Sequence, residues 1–133
     1  MTVRVLLVDD HDVVRSLVAA LIAGEPDLEI VAEAADGADA LAKAGQLRPD
    51  VAVLDLSLGG ESGLDLAAAL RAACPAVRLL MLSAEGDRRY VRQALAAGAS
   101  GYVLKDAVVT ELLPAIRAVA QGDRFLGLPD PAK

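Results

Sequence analysis

Residues 3–12 read VRVLLVDDHD, a mostly apolar run that stops abruptly at two adjacent aspartates. Four more short apolar runs follow, each separated from the next by a longer stretch with helical three- and four-residue spacing. Such alternation is typical of a parallel sheet covered by helices on both faces. The five predicted strands are Val3 to Val8, Leu28 to Glu33, Val51 to Asp55, Arg78 to Leu82 and Ser100 to Leu104.

Five helices are predicted between and after these strands. The first presents apolar residues from Val13 to Ile22 on one face and ends at Gly24. The next three are expected over Asp36 to Gln46, Ser62 to Ala73 and Gly86 to Ala97. The N-cap of the fifth is placed near Thr110, because an earlier start would put Pro114 inside the helix. The sum is (βα)5, an α/β fold with a doubly wound five-stranded parallel sheet.

Length and composition predict one soluble domain. The chain has 133 residues, of which 55% are hydrophobic, so it can bury a substantial core. Its net charge of -6 argues against direct binding of DNA. Cys74 is the only cysteine, and no apolar run approaches the roughly 20 residues that span a bilayer. The start of the chain does not have the pattern of a signal peptide, so we expect a cytoplasmic protein without membrane contact.

Polar residues end four of the predicted strands. Asp9 and Asp10 follow the first strand, Asp55 ends the third, Ser83 follows the fourth and Lys105 follows the fifth. The carboxyl ends of parallel strands share one rim, where ligands bind in open α/β sheets. Each residue alone is more often a helix cap, a turn residue or a surface charge. Their coincidence at one rim predicts a functional site.

Three carboxylates in one place repel one another unless a proton or a cation joins them. An all-oxygen site of this kind suits Mg²⁺. A lysine and a hydroxyl at the same rim would bind an incoming anion, as expected for phosphoryl transfer to a carboxylate. Asp55 is the natural nucleophile, because it is the lone carboxylate on the central strand. His11, the only histidine, is expected to be a surface residue rather than a base or a metal ligand.

The chain resembles the receiver domain of two-component response regulators over about residues 3–122. Within that family it is similar to the NarL/FixJ type, which carries a LuxR-type helix-turn-helix. The stretches that carry the likeness are Val3 to His11, Ala99 to Asp106 and Ala115 to Phe125. The resemblance implies the flavodoxin-like receiver fold over residues 1–122. Residues 123–133 are then expected to begin a linker toward a DNA-binding domain that this chain does not include.

The resemblance also implies a role for each site residue. Asp55 would be the phosphoacceptor, and Lys105 would pair first with Asp55 and then with a phosphoryl oxygen. Ser83 would donate a hydrogen bond to another phosphoryl oxygen, and Tyr102 would be the aromatic switch that follows it. The residues implied to hold Mg²⁺ are Asp9, Asp10, Asp55 and the backbone carbonyl of Ser57. Those implied to tune the lifetime of the phosphoryl group are Ser57 and Glu85.

The implied partners are a sensor histidine kinase and a second copy of the chain after phosphorylation. The dimer would form through helices one and five, or through helix four, strand five and helix five. DNA would be bound only through the absent C-terminal domain, and the output would be control of transcription. The protein would not be an enzyme in the ordinary sense, although it would catalyse its own phosphorylation and its slow dephosphorylation.

The loop after Asp55 departs from the family pattern. Gly59 stands where proline is usual, which predicts a looser loop, and Glu61 stands where an apolar residue is usual. A negative Glu61 close to the phosphoryl group is expected to destabilise the phosphorylated state. Lys105 is followed by Asp106 instead of proline, which leaves the cis or trans form of that bond open.

Three other functions compete with the phosphorylated switch. A receiver-like module that signals by protein contact alone would not need the strand-end residues. A haloacid dehalogenase phosphatase would carry an Asp-x-Asp nucleophile after the first strand, whereas Asp9 and Asp10 are adjacent. A flavin-binding electron carrier would need a phosphate loop after that strand, where these aspartates would repel a phosphate.

Overall fold

The structure, a computed structural model, describes residues 2–127. Strands and helices alternate through most of this range, as the sequence predicts. The helices are α1 (Asp12–Ala23), α2 (Gly37–Leu47), α3 (Gly63–Ala73), α4 (Arg88–Ala96) and α5 (Val108–Ala120). The strands are β1 (Val3–Val8), β2 (Leu28–Ala34), β3 (Val51–Asp55), β4 (Ser57–Leu58), β5 (Glu61–Ser62), β6 (Arg78–Ser83), β7 (Gly101–Leu104) and β8 (Phe125–Leu126).

The main sheet has the strand order β2-β1-β3-β6-β7-β8, and its neighbouring strands are parallel. The chain starts on the strand next to one edge, forms that edge with β2, and then returns past β1 to build the remaining four strands. The strand order therefore reverses between β1 and β3, which is where such sheets bind their ligands. The five predicted strands are confirmed to within one residue at each end.

Strand β8 is the sixth strand of the sheet, and it is not among the strands predicted from the sequence. Phe125 and Leu126 pair with Gly101 and Tyr102 of β7. The predicted linker thus contains two residues that lie on the sheet edge, while residues 128–133 of it lie outside the described residues. Two residues are too short for an alternating pattern to reveal a strand.

Two apolar layers hold the helices against the sheet. One layer joins alternate strand residues such as Leu6, Leu54 and Met81 to α2, α3 and α4. The other joins Val53 and Leu80, with their neighbours, to α1 and α5. Successive strand residues point to opposite faces, so central strands buried on both sides are apolar throughout. Residues 2–127 contain no helix that is long and apolar enough to cross a membrane.

Side chains cap three of the helices. Asp36 precedes α2 and accepts a hydrogen bond from the N–H of Asp39, and Ser62 accepts one from Asp65 at the start of α3. Asp87 does the same for α4 through the N–H of Arg89. Because the cap lies at Asp87, α4 begins two residues later than predicted.

Helix α5 corrects the prediction at its start. It begins at Val108, directly after a 3-10 turn over Lys105–Ala107, and Pro114 lies inside it. Thr110 is not the N-cap, because it lies within the helix and its hydroxyl donates to the carbonyl of Ala107, the residue that precedes α5. Val108 is buried and extends the apolar face of Leu112 and Ile116 by one turn. The burial of that turn outweighs the hydrogen bond that the proline removes.

Candidate functional site

The reversal of strand order brings two carboxylates side by side. Val8 of β1 pairs with Leu54 of β3. The residues that come next, Asp9 and Asp55, therefore lie side by side at the same rim of the sheet. Both are almost completely buried, at 0% and 1% exposure. Two buried carboxylates that lie close together, with little water around them, need a cation or a proton nearby.

Lys105 supplies one positive charge to this pair. It is the first residue after β7, and its Nζ donates to Asp55 Oδ2 at 2.9 Å. The same Nζ lies 3.6 Å from Asp9 Oδ2. The lysine therefore neutralises part of the charge that the strand ends bring together.

Burial dominates the ionisation of Asp55 and raises its pKa above the usual value of 3.8. The hydrogen bonds from Lys105 and from the backbone N–H of Ser57 act in the opposite direction, and the charge of Asp9 raises the pKa further. The Ser57 N–H donates to Asp55 Oδ1 at 3.0 Å. Both oxygens of the Asp55 carboxylate therefore accept hydrogen bonds, while burial disfavours its charged form.

Two carboxylate oxygens in the cluster have no hydrogen-bond partner among the described residues. These are Asp9 Oδ2 and Asp10 Oδ1, and both are buried. Unpartnered buried acceptors are costly, and a divalent cation would satisfy them. Ligand atoms of Asp9, Asp10, His11 and Asp55 lie within 4.8 Å of one another. The ligand atoms of these residues therefore fit a divalent metal ion.

Gly59 makes room for one of these carboxylates. Its φ is 50°, and a Cβ at this position would lie 2.6 Å from Asp10 Oδ2. With Gly60, whose φ is also positive, it forms the two-residue turn of a hairpin between β4 and β5. Proline cannot adopt a positive φ. The loop is thus a hairpin whose turn depends on glycine, and its predicted looseness stays a prediction.

The expectation for His11 is wrong in part. Its side chain is 57% exposed, as a surface residue would be, but its Nδ1 points into the acidic cluster and lies 2.9 Å from Asp9 Oδ1. The hydrogen bond to Asp9 and the charge of Asp10 raise its pKa above 6.5. His11 also donates its backbone N–H to Asp9 Oδ1. It is a residue of the site.

Arg15 is a second residue near the site that was not predicted from the sequence. Its guanidinium donates to the backbone carbonyl of Asp9 and to the carboxylate of Asp12. The arginine thereby fastens the end of β1 to the first turn of α1. Its spacing of three residues from Asp12, typical of a helical ion pair, was the available signal.

Ser83 and Tyr102 both form hydrogen bonds with the backbone of Glu85. The N–H of Glu85 donates to Ser83 Oγ at 2.9 Å, and the Tyr102 hydroxyl donates to the Glu85 carbonyl at 2.7 Å. Tyr102 is 1% exposed, and burial raises its pKa. The Tyr102 side chain is thus already buried. Ser83 and Tyr102 are linked by their hydrogen bonds to the loop before α4.

Glu61 lies elsewhere than expected. Its carboxylate accepts from the backbone N–H of Gly37 at 3.1 Å, at the start of α2. Its charge is therefore engaged by a helix N-terminus, which favours anions. The expected repulsion of a phosphoryl group has no support in this arrangement. Among residues 2–127 no peptide bond is cis, so the bond between Lys105 and Asp106 is trans.

The chain matches one protein family over most of its length. Residues 5–117 fit the family model of the response regulator receiver domain. A two-component response regulator of the LuxR family from Aurantimonas sp. SI85-9A1 has a similar structure, with a TM-score of 0.91 and 38% identity. That match covers 99% of this chain and 94% of the other.

Curated relatives include a transcriptional activator and an oxygen regulatory protein. The DNA-binding transcriptional activator DevR/DosR of Mycobacterium tuberculosis is 41% identical over 124 residues, which is 93% of this chain. The oxygen regulatory protein NreC of Staphylococcus epidermidis is 37% identical over 126 residues, or 94% of this chain. The matches cover 57% and 58% of those relatives, so this chain spans little more than half of their length.

Proposed function

Because the chain belongs to the response regulator receiver domain family, within its NarL/LuxR group, we propose that it is a phosphorylation-controlled switch with Asp55 as phosphoacceptor. One observation carries the proposal. Asp55 is buried at the strand-order reversal, with Lys105 on one oxygen and the carboxylates of Asp9 and Asp10 beside it. Such a site can receive a phosphoryl group and neutralise its charge.

The phosphoryl donor is the phosphohistidine of a sensor kinase. A carboxylate oxygen of Asp55 attacks the phosphorus, and the new O–P bond forms as the P–N bond breaks. The kinase imidazole leaves and takes up a proton. Lys105, which contacts Asp55 Oδ2, remains in reach of the phosphoryl oxygens and stabilises their charge.

Mg²⁺, held by Asp9, Asp10, Asp55 and the backbone carbonyl of Ser57, would supply further charge neutralisation at the phosphoryl oxygens. Without it the two unpartnered oxygens of Asp9 and Asp10 face a group with about two negative charges. The unpartnered oxygens are the reason to expect that phosphorylation requires the ion.

The reverse step restores the free carboxylate. A water molecule attacks the phosphorus of phospho-Asp55, and inorganic phosphate leaves. Ser57 and Glu85 are both exposed near the site, where their side chains can orient or block that water. They set the lifetime of the phosphorylated state.

The switch runs from Ser83 to Tyr102 through Glu85. In the unphosphorylated state the Ser83 hydroxyl accepts a hydrogen bond from the Glu85 N–H. When this hydroxyl donates to a phosphoryl oxygen, it moves away from that N–H. The Glu85 carbonyl holds Tyr102, so the loop and the tyrosine move together. The surface formed by α4, β7 and α5 changes as a result.

The output is control of transcription, carried by a LuxR-type helix-turn-helix domain that this chain does not include. The receiver domain covers residues 1–122, and residues 123–133 begin the linker, with Phe125 and Leu126 paired to the sheet edge. We place the protein in the cytoplasm, where its kinase partner and DNA are available.

Intact mass spectrometry tests the proposal. The chain is incubated with acetyl phosphate and Mg²⁺, with and without chelator, beside the Asp55→Asn variant. We expect a gain of one phosphoryl mass that needs Mg²⁺ and is lost in the variant. No gain under any condition would overturn the proposal and favour a receiver fold that signals through protein contacts alone.

A further inference from the structure

A histidine nitrogen lies among the carboxylate oxygens of the site. His11 Nδ1 is 2.9 Å from Asp9 Oδ1, 3.2 Å from Asp10 Oδ1 and 3.4 Å from Asp55 Oδ2. Mg²⁺ prefers oxygen ligands and water, so this nitrogen has no part in the magnesium site proposed above. In the metal-free site this nitrogen hydrogen-bonds to Asp9 Oδ1, and that bond does not account for its closeness to the other two carboxylates.

The separations match those between neighbouring ligands of one metal ion. Ligands about 2.1 Å from an ion and at right angles to each other lie about 3 Å apart. The three distances from Nδ1 are close to this value. The nitrogen thus lies where a ligand of the same ion would lie, and coordination needs little movement of the side chain.

A second observation points to a cation at this place. Asp9 Oδ2 is buried in a side chain with 0% exposure and has no hydrogen-bond partner among the described residues. Asp9 Oδ1 accepts from the backbone of His11. The turn that positions the histidine therefore also fixes the carboxylate whose other oxygen is unpartnered.

We propose that His11 Nδ1 is a direct metal ligand, and that it gives the site a preference for first-row transition ions over Mg²⁺. This proposal rests on the metal site that the proposed function assigns to Asp9, Asp10 and Asp55. Imidazole nitrogen binds transition ions far better than Mg²⁺, whereas carboxylate oxygens serve both. The nitrogen therefore adds affinity for one class of ion only.

Binding constants for Co²⁺ and Mg²⁺ test the preference, measured by calorimetry at pH 8 on the untagged chain. The variants are His11→Phe, which has no donor or ligand atom, and His11→Asn, whose amide can still donate to Asp9. Any divalent site binds Co²⁺ better than Mg²⁺ to some degree. The informative quantity is therefore the change in the ratio of the two constants.

We expect both variants to lose roughly tenfold in Co²⁺ affinity, the size of effect seen when metal sites are weakened. Mg²⁺ affinity should stay within about twofold, because Mg²⁺ does not use the nitrogen. An equal change for both ions, or no change for Co²⁺, would overturn the proposal and leave His11 as a hydrogen-bond partner of Asp9.

Electron spin echo spectroscopy of bound Mn²⁺ gives an independent readout. His11 is the only histidine, so coupling to a coordinated imidazole ¹⁴N can come from no other residue. The coupling should be present in the native chain and absent in His11→Phe. Bound Mn²⁺ without ¹⁴N coupling would contradict the ligand role while the proposed function stands. A chain that binds none of the three ions would contradict the metal site itself.

Discussion

Asp55 is a buried carboxylate, and its burial has a measurable effect on folding. Its pKa is raised above 3.8 in the folded state, so the folded protein binds this proton more tightly than the unfolded chain does. Its contribution to stability is therefore fully present below pH 3.8 and is lost as the pH rises through the folded pKa. Above that range, the burial that disfavours the charged carboxylate opposes folding.

Asp55→Asn should consequently stabilise the metal-free protein. We expect the free energy of unfolding to rise by roughly 1 kcal/mol at pH 7, within the usual range for one substitution. The gain should shrink as the pH falls toward 3.8, where the native carboxyl becomes protonated in both states. Urea unfolding in chelator at several pH values measures it.

Asp106→Asn is the matched control, because it removes the same charge from an exposed side chain next to Lys105. It should change the stability much less. If Asp55→Asn instead destabilised the fold at every pH, the ion pair with Lys105 would outweigh the burial of the carboxylate.

At the level of single residues, the sequence predicted which groups meet but not every direction in which they point. Asp9, Asp55 and Lys105 come together because parallel strands end at one rim, and this depends on topology alone. His11 and Glu61 lie in turns, where the side-chain direction depends on backbone angles that no periodic pattern encodes. Their partners therefore needed the structure.

At the level of elements, apolar periodicity predicted the strands and the middle of each helix. It failed at the start of α5, where a general rule about proline competed with the burial of Val108. It also failed for β8 and for the β4–β5 hairpin, which have two residues per strand. Elements this short are stabilised by the neighbours they pair with, and a local pattern does not report on those neighbours.

Substitution of two helical glycines by alanine tests how closely α3 packs against the site. A Cβ on Gly63, the first residue of α3, would lie 2.2 Å from the carbonyl oxygen of Asp55, whereas one on Gly45 in α2 would meet nothing within 4 Å. Gly63→Ala should therefore cost about 2–3 kcal/mol of stability, since the backbone must move. Thermal or urea unfolding measures the change.

Gly45→Ala serves as the control, because it should gain about 0.5–1 kcal/mol from the better helix propensity of alanine. Similar effects in the two variants would mean that α3 can move away from Asp55 without cost. The close fit of the helix to the phosphoacceptor would then be contradicted.

For the whole molecule, the largest exposed apolar side chains of the described range indicate where a second copy would bind. These side chains are Val13 and Leu17 on α1 and Val109 on α5. The two helices contact each other on one face of the sheet. The sequence left two dimer surfaces open, and this exposure favours the α1–α5 surface over the one that includes α4.

Leu17→Glu should therefore keep the chain monomeric after treatment with acetyl phosphate and Mg²⁺, because it places a charge in the apolar contact. Ala96→Glu adds the same charge to an exposed position of α4 and should still allow the dimer. Light scattering after size exclusion gives the masses. Loss of the dimer in Ala96→Glu, with Leu17→Glu unaffected, would move the interface to α4.

We predict that the phosphoryl group is attached to the carboxylate at the point of strand-order reversal. Borohydride reduces an acyl phosphate to an alcohol and leaves free carboxylates intact, so peptide mass spectrometry can locate the modified aspartate after treatment with acetyl phosphate and Mg²⁺. We predict reduction at Asp55 alone, and none when a chelator is present. Reduction at Asp9 or Asp10, with Asp55 unmodified, would contradict the assignment of Asp55 as phosphoacceptor.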